Sequence, residues 1–135
     1  MGKFYHYTNK EGYKAIKKSK MIKKSKLKGA DAVFGEGVYL TSLSPKNRTK
    51  GGIAENNYDG GEKPMLEAGR VNFWFEFEIA EKKLKKAPGG RDVWLLKGSS
   101  LKFDDFPMTN DGKFENFREK DPVPEEDVSS LEVFA

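Results

Sequence analysis

The chain has 135 residues and a formal net charge of +4, with 36% apolar, 34% charged and 13% aromatic residues. That length suits one domain, able to bury about two-thirds of its unfolded surface without a disulfide or metal staple. Cysteine is absent and His6 is the sole histidine, which excludes disulfide frameworks, thiolate catalysis, cysteine-ligated metal sites and any mechanism needing two imidazoles. A Ser-His-Asp triad is arithmetically possible and would have to use His6. Met1 to Asn9 lacks the apolar core of a secretory signal, and no run approaches the ~18 apolar residues of a membrane span. The expected setting is cytoplasmic or nuclear, with no membrane partner; delivery as a toxin domain by other machinery stays open. The charge is unevenly spread. Lys10 to Lys28 is dominated by lysine with Glu11 as its one acid, while Asp104 to Glu132 is dominated by acids. The basic stretch suits phosphate-bearing partners, or simply a solvated helix face and loop.

Phe4 to Thr8 (FYHYT) is short, aromatic and bounded by polar residues, so it reads as a strand. Thr8-Asn9-Lys10-Glu11 has capping-box spacing with Thr8 as the cap, which predicts a helix from Lys10 to Lys18. Gly12 and Ile16 share one of its faces, with Tyr13 alongside. Gly35-Glu36-Gly37 marks a turn and Val38 to Thr41 the next strand; Ser44-Pro45 breaks it, ahead of a helix or loop. Asn56 to Pro64 is turn-rich and unpatterned. Val71 to Ile79 alternates strictly. Val71, Phe73, Phe75, Phe77 and Ile79 fall on a buried face, and Asn72, Trp74, Glu76 and Glu78 on a polar one. After the break Pro88-Gly89-Gly90, Asp92 to Leu96 reads as a strand, Leu101 to Phe103 as a short one, and Ser130 to Phe134 as a closing one. The sum is an α+β domain, rich in strands, with one helix near the start.

Taken singly, the residues with chemical potential have ordinary explanations. A lone histidine or tyrosine in an aromatic strand is usually packed, and an aspartate after Gly-Gly is a common turn residue. Their combination is more specific. FYHYT before a capped helix, then GEGVYLTSLSP, then GGRDVWLLKG, resemble the ADP-ribosyltransferase fold in its His-Tyr-Asp branch, which is similar to poly-ADP-ribose polymerases. VPEEDVSSLEVF is similar to the last strand of such domains. The resemblance implies a single domain over residues 1–135, with a β-sheet split into two small, mostly antiparallel sheets that clamp NAD.

It also implies roles. His6 bonds the adenosine-side ribose, the Tyr7 backbone holds the nicotinamide carboxamide, and the Tyr39 ring stacks on the nicotinamide. Asp92 bonds the nicotinamide-side ribose and stabilises an oxocarbenium-like cation. Thr41 and Ser42 add hydroxyl contacts to the carboxamide, and Tyr58 a second ring. Asp31, Asp104 and Glu132 are alternatives for the acid. Aspartate stands where most relatives have glutamate, which bears on chain elongation. Gly90 stands where arginine-modifying members carry a second acid, so arginine is a disfavoured acceptor. NAD is then the co-substrate, no metal is needed, and the acceptor is a protein, a nucleic acid or water. The expected activity is mono-ADP-ribosyl transfer, with NAD hydrolysis as its variant. The alternatives are an inactive nucleotide- or partner-binding module of the same fold, and an unrelated β-rich module whose lysines engage phosphate.

Overall fold

A computed structural model describes residues 2–25, 35–58 and 62–114. The elements run β1 (Gly2–Thr8), α1 (Lys10–Ser19), β2 (Met21–Ile22), β3 (Gly37–Leu40), α2 (Lys50–Asn57), α3 (Glu62–Glu67), β4 (Phe73–Ile79), β5 (Lys85–Lys86), β6 (Trp94–Lys97), β7 (Leu101–Lys102) and β8 (Met108–Lys113). This is an α+β arrangement of small antiparallel sheets, ordered β1-β4-β8, β3-β6-β5 and β2-β7. The pair β2-β7 adds a third sheet to the two expected. The expected strand Ser130 to Phe134 lies outside the described residues. No described helix is long and apolar enough to cross a membrane.

Strand alternation puts Phe4, His6 and Thr8 on one face of β1, and Lys3, Tyr5 and Tyr7 on the other. Each face meets its own core. Phe4, Phe75, Phe77 and Ile79 pack with Ile16, Ile22, Val38, Leu40, Leu96 and Leu101. Tyr5 and Tyr7 pack with Ile53, Ala54, Val71 and Phe114. The polar face predicted for the 71–79 run is therefore largely covered. Glu76 is only 7% exposed and Trp74 is half-buried, leaving Glu78 as that strand's exposed position. The strand itself begins at Phe73; Val71 is buried ahead of it.

Helix α1 starts where predicted, but its cap is Asn9, whose Oδ1 accepts the Gly12 N–H at 2.8 Å. Thr8 cannot cap because it is still paired in β1, opposite Phe73. A side chain at position 12 would collide with the Thr8 hydroxyl, so glycine there lets α1 lie against the strand. Tyr13 stacks on Phe73 with centroids 4.6 Å apart. Lys20 closes the helix in the left-handed conformation, its N–H reaching the Ile16 carbonyl at 2.7 Å. The single expected helix is joined by two more. Thr49 caps α2 through the Gly52 N–H at 3.0 Å. In α3, Pro64 occupies the first turn, where its missing N–H costs no helical bond. Helix α2 falls where a helix or loop was expected after Ser44-Pro45, whereas the turn-type composition of 56–64 concealed α3.

Candidate active site

Two sheets meet at a single antiparallel bridge between β1 and the end of β3. Tyr5 N–H donates to the Thr41 carbonyl at 2.7 Å, and Thr41 N–H to the Tyr5 carbonyl at 3.0 Å. Backbone groups at i and i+2 face the same side of a strand. Tyr7 therefore turns its N–H and C=O toward the side from which β3 departs. Tyr39, two residues before Thr41, turns its own groups back toward β1. Continued pairing would match Tyr7 with Tyr39. Instead the His6 imidazole meets the Tyr39 carbonyl at 3.0 Å. A carbonyl oxygen only accepts, which assigns the proton to Nδ1.

The Tyr39 hydroxyl donates to the Gly35 carbonyl at 2.7 Å, fixing the turn before β3 to the side chain that follows it. Gly37 in that turn has a φ of +153°, and a Cβ there would strike the Leu96 carbonyl of β6. Glycine is thus required for β3 to approach β6.

Directly beyond the bridge, the 41–42 segment meets Asp92. Asp92 Oδ1 accepts from Ser42 N–H at 2.8 Å, Trp94 Nε1 at 3.0 Å and the Thr41 hydroxyl at 3.2 Å. Oδ2 is met by the Ser42 hydroxyl. The Asp92 backbone is gripped by Asn56, whose Oδ1 accepts its N–H at 2.7 Å and whose Nδ2 donates to its carbonyl at 2.8 Å. A carboxylate with four such donors has a fixed orientation, and every donor is neutral.

These contacts bring His6, Tyr39, Thr41, Ser42 and Asp92 together from three strands and their flanks, around the place where β1 and β3 part. A family model described as an ADP-ribosyltransferase containing the HYD1 signature matches residues 4–103. The chain belongs to this family. No curated protein and no solved structure matches it.

Within this ADP-ribosyltransferase domain, the remaining candidates are distributed as follows. Thr41 is 2% exposed, and its hydroxyl also accepts from the Leu43 N–H at 3.2 Å and Asn56 Nδ2 at 3.3 Å. Both the Thr41 and Ser42 hydroxyls are engaged by Asp92. The Tyr7 side chain is buried and donates to the Leu43 carbonyl at 2.7 Å; burial pushes its phenol far above the usual range. The Tyr7 backbone faces the side from which β3 departs. Tyr58 packs on the cluster of Tyr5, Tyr7 and Ile53, which lies on the face of β1 opposite His6. Of the alternative acids, Asp104 is exposed in the turn after β7; Asp31 and Glu132 lie outside the described residues.

Sequence reasoning missed two residues around Asp92. Trp94 had a signal, since the run Asp92 to Leu96 reads as one strand in sequence and positions two apart share a face; in the structure β6 begins only at Trp94. Its ring is edge-on to Phe4 at 5.2 Å, and the Lys86 ammonium lies 5.8 Å from its centroid. Asn56 had none, because its segment reads as a turn. No group of His, Asp or Glu side chains suited to a metal occurs among the described residues.

Proposed function

We propose that this domain breaks the nicotinamide–ribose bond of NAD and passes the ADP-ribosyl group to an acceptor, using His6, Tyr39 and Asp92. The C1′–N bond breaks with its electron pair leaving on nicotinamide. The ribosyl cation is then captured by an acceptor nucleophile, which loses a proton. When water is that acceptor the reaction is hydrolysis. Such a step needs a fixed negative charge beside the developing cation, present before the reaction begins.

The observation that carries this reading is the seat of Asp92. Its carboxylate is oriented by neutral donors, from Thr41 and Ser42 in the segment that follows Tyr39 and from the Trp94 indole. Among the described residues, Oδ2 is met by the Ser42 hydroxyl alone, which leaves acceptor capacity for a ribose hydroxyl. The Tyr7 backbone turns an N–H and a C=O to the side of β1 from which β3 departs, the pair that matches a carboxamide edge. The Tyr39 ring, tied through its hydroxyl to the turn before β3, is the group that would stack on nicotinamide. Tyr58 and the Thr41 and Ser42 hydroxyls have weaker support as NAD contacts, since the structure engages them elsewhere. Gly90, two residues before Asp92, supports acceptors other than arginine.

The test is incubation of the full chain with NAD, following free nicotinamide, with Asp92→Ala as control. Release without an added acceptor identifies hydrolysis, and release only with added protein or nucleic acid identifies transfer. NAD binding without release would replace this reading with an inactive nucleotide-binding module.

A further inference from the structure

We infer that Asn56 is the positioning residue for the acidic group, an inference that rests on the role proposed for Asp92. Strand β6 begins only at Trp94, and Gly89 and Gly90 before it are exposed, with open space where side chains would stand. Asp92 therefore lies between a loop and a strand, ahead of the ladder that pairs β6 with β3 and β5. The Asn56 amide supplies what a neighbouring strand would supply, one acceptor for the Asp92 N–H and one donor for its C=O, at 2.7 and 2.8 Å.

The amide sits on firm ground. Asn56 lies in the last turn of α2, and Ile53 and Ala54 of that helix are fully buried. Its own carbonyl, at the negative end of the helix, accepts from Arg91 Nη1 at 3.0 Å. Residues 91 and 92 are thus held to one helix end at three points. Nδ2 further donates to Asn57 Oδ1 at 2.9 Å and approaches the Thr41 hydroxyl at 3.3 Å, the same hydroxyl that donates to the Asp92 carboxylate. Asn56 reaches both the backbone of the acid and one donor of its side chain. Without this amide the Asp92 backbone loses its partners, and the carboxylate can drift by an ångström. Displacement of that size at a reacting centre costs about 100-fold in rate.

The experiment compares nicotinamide release from saturating NAD by the full-length wild type, Asn56→Ala, Asn56→Asp, Asp92→Asn and the Asn56→Ala/Asp92→Asn double variant, with circular dichroism as a fold control. Asn56→Ala should lower kcat by about 10- to 100-fold, with KM within about 3-fold. Asn56→Asp is nearly isosteric but faces the Asp92 carbonyl with a second acceptor, so it should be at least as damaging. The double variant should be no slower than Asp92→Asn, because residues acting as a unit are not additive. Amide exchange at Asp92 should quicken in Asn56→Ala while that at Ile53, bonded within α2 at 3.0 Å, stays unchanged. Wild-type kcat in either Asn56 variant, a defect confined to KM, or a double variant slowed by the product of the single effects would overturn the inference. A fully active Asp92→Asn would overturn the proposed function and this inference with it. A wild type that releases no nicotinamide would overturn the function alone, with exchange at Asp92 still deciding whether Asn56 clamps that backbone.

Discussion

Glu76 and Asp92 are both held by hydrogen bonds within the protein, and the contrast between them separates a structural acid from one suited to chemistry. Glu76 lies mid-strand in β4, opposite Tyr5, beneath the second core. It accepts from the Tyr5 hydroxyl at 2.7 Å and the Thr109 hydroxyl at 2.8 Å, with the Lys3 ammonium at 4.0 Å. Burial pushes its carboxyl pKa up, but those hydrogen bonds and the Lys3 and Lys46 charges outweigh it, leaving the value below the usual glutamate range. Burial and the Glu76 partner together raise the Tyr5 phenol. Asp92 is half-buried at the parting of two sheets, and its partners are a backbone N–H, two hydroxyls and an indole. A carboxylate beside lysines has its charge offset inside the protein. One oriented by neutral dipoles suits the role proposed for Asp92, meeting a cation that arrives from outside.

The largest expected effect follows from removing that charge. Asp92→Asn should lower nicotinamide release by about 100-fold or more while NAD still binds, as for other preorganised electrostatic groups. Asp92→Glu should recover part of the rate, because the charge remains. Asparagine suits a turn as well as aspartate does, so an active Asp92→Asn would mean that Asp92 only shapes its loop. Next is Tyr39. Tyr39→Ala should lose an aromatic contact of about 1 kcal/mol or more. Tyr39→Phe should keep much of the turnover despite losing the bond to Gly35. Equal damage from both would show that the hydroxyl and its turn matter, not the ring.

Smaller effects sharpen the contrast further. Trp94→Phe keeps a ring beside Phe4 but removes the indole donor to Asp92. It should lower kcat several-fold, on the scale of one neutral hydrogen bond of about 1 kcal/mol, with little change in the NAD Kd. A changed Kd with unchanged kcat would detach Trp94 from the acid. Glu76 should be visible in stability instead. Its pKa is lower folded than unfolded, so the unfolded state binds protons more readily. The stabilisation is full above the unfolded value of about 4.3 and is lost as pH falls through the folded value. Urea denaturation of Glu76→Gln from pH 6 to pH 3 should show a shallower acid loss than the wild type; identical slopes would contradict this. Smallest of all, reversing several exposed lysines of α1 should leave NAD affinity at moderate salt unchanged, because screening is strong beyond about 10 Å. A large loss would bring the basic stretch over the pyrophosphate.

The sequence was most legible where pattern is local. FYHYT, the helix after it, GVYL and WLL carry strand or helix periodicity, and their order brings His6, Tyr39 and Asp92 to one place. The cap was misread by one residue because Thr8 and Asn9 are both competent caps, and only strand pairing removes Thr8. Glu76 was read as solvent-facing because alternation reports two faces without saying that a second core covers the polar one. Strand β8 was missed since MTNDGK carries turn residues, and pairing with β4 overrides their preference. Asn56 left no trace. Its role depends on α2 reaching a residue 36 positions later in the chain, and no window of sequence contains that distance.

The most direct test of the account places the two acids side by side. Nicotinamide release from NAD is measured for Asp92→Asn and Glu76→Gln at a pH and temperature where both are folded. Glu76→Gln should stay within about 3-fold of the wild type, while Asp92→Asn should fall by about 100-fold or more with NAD binding retained. Normal turnover in Asp92→Asn, or a loss in Glu76→Gln as large as that predicted for Asp92, would contradict it.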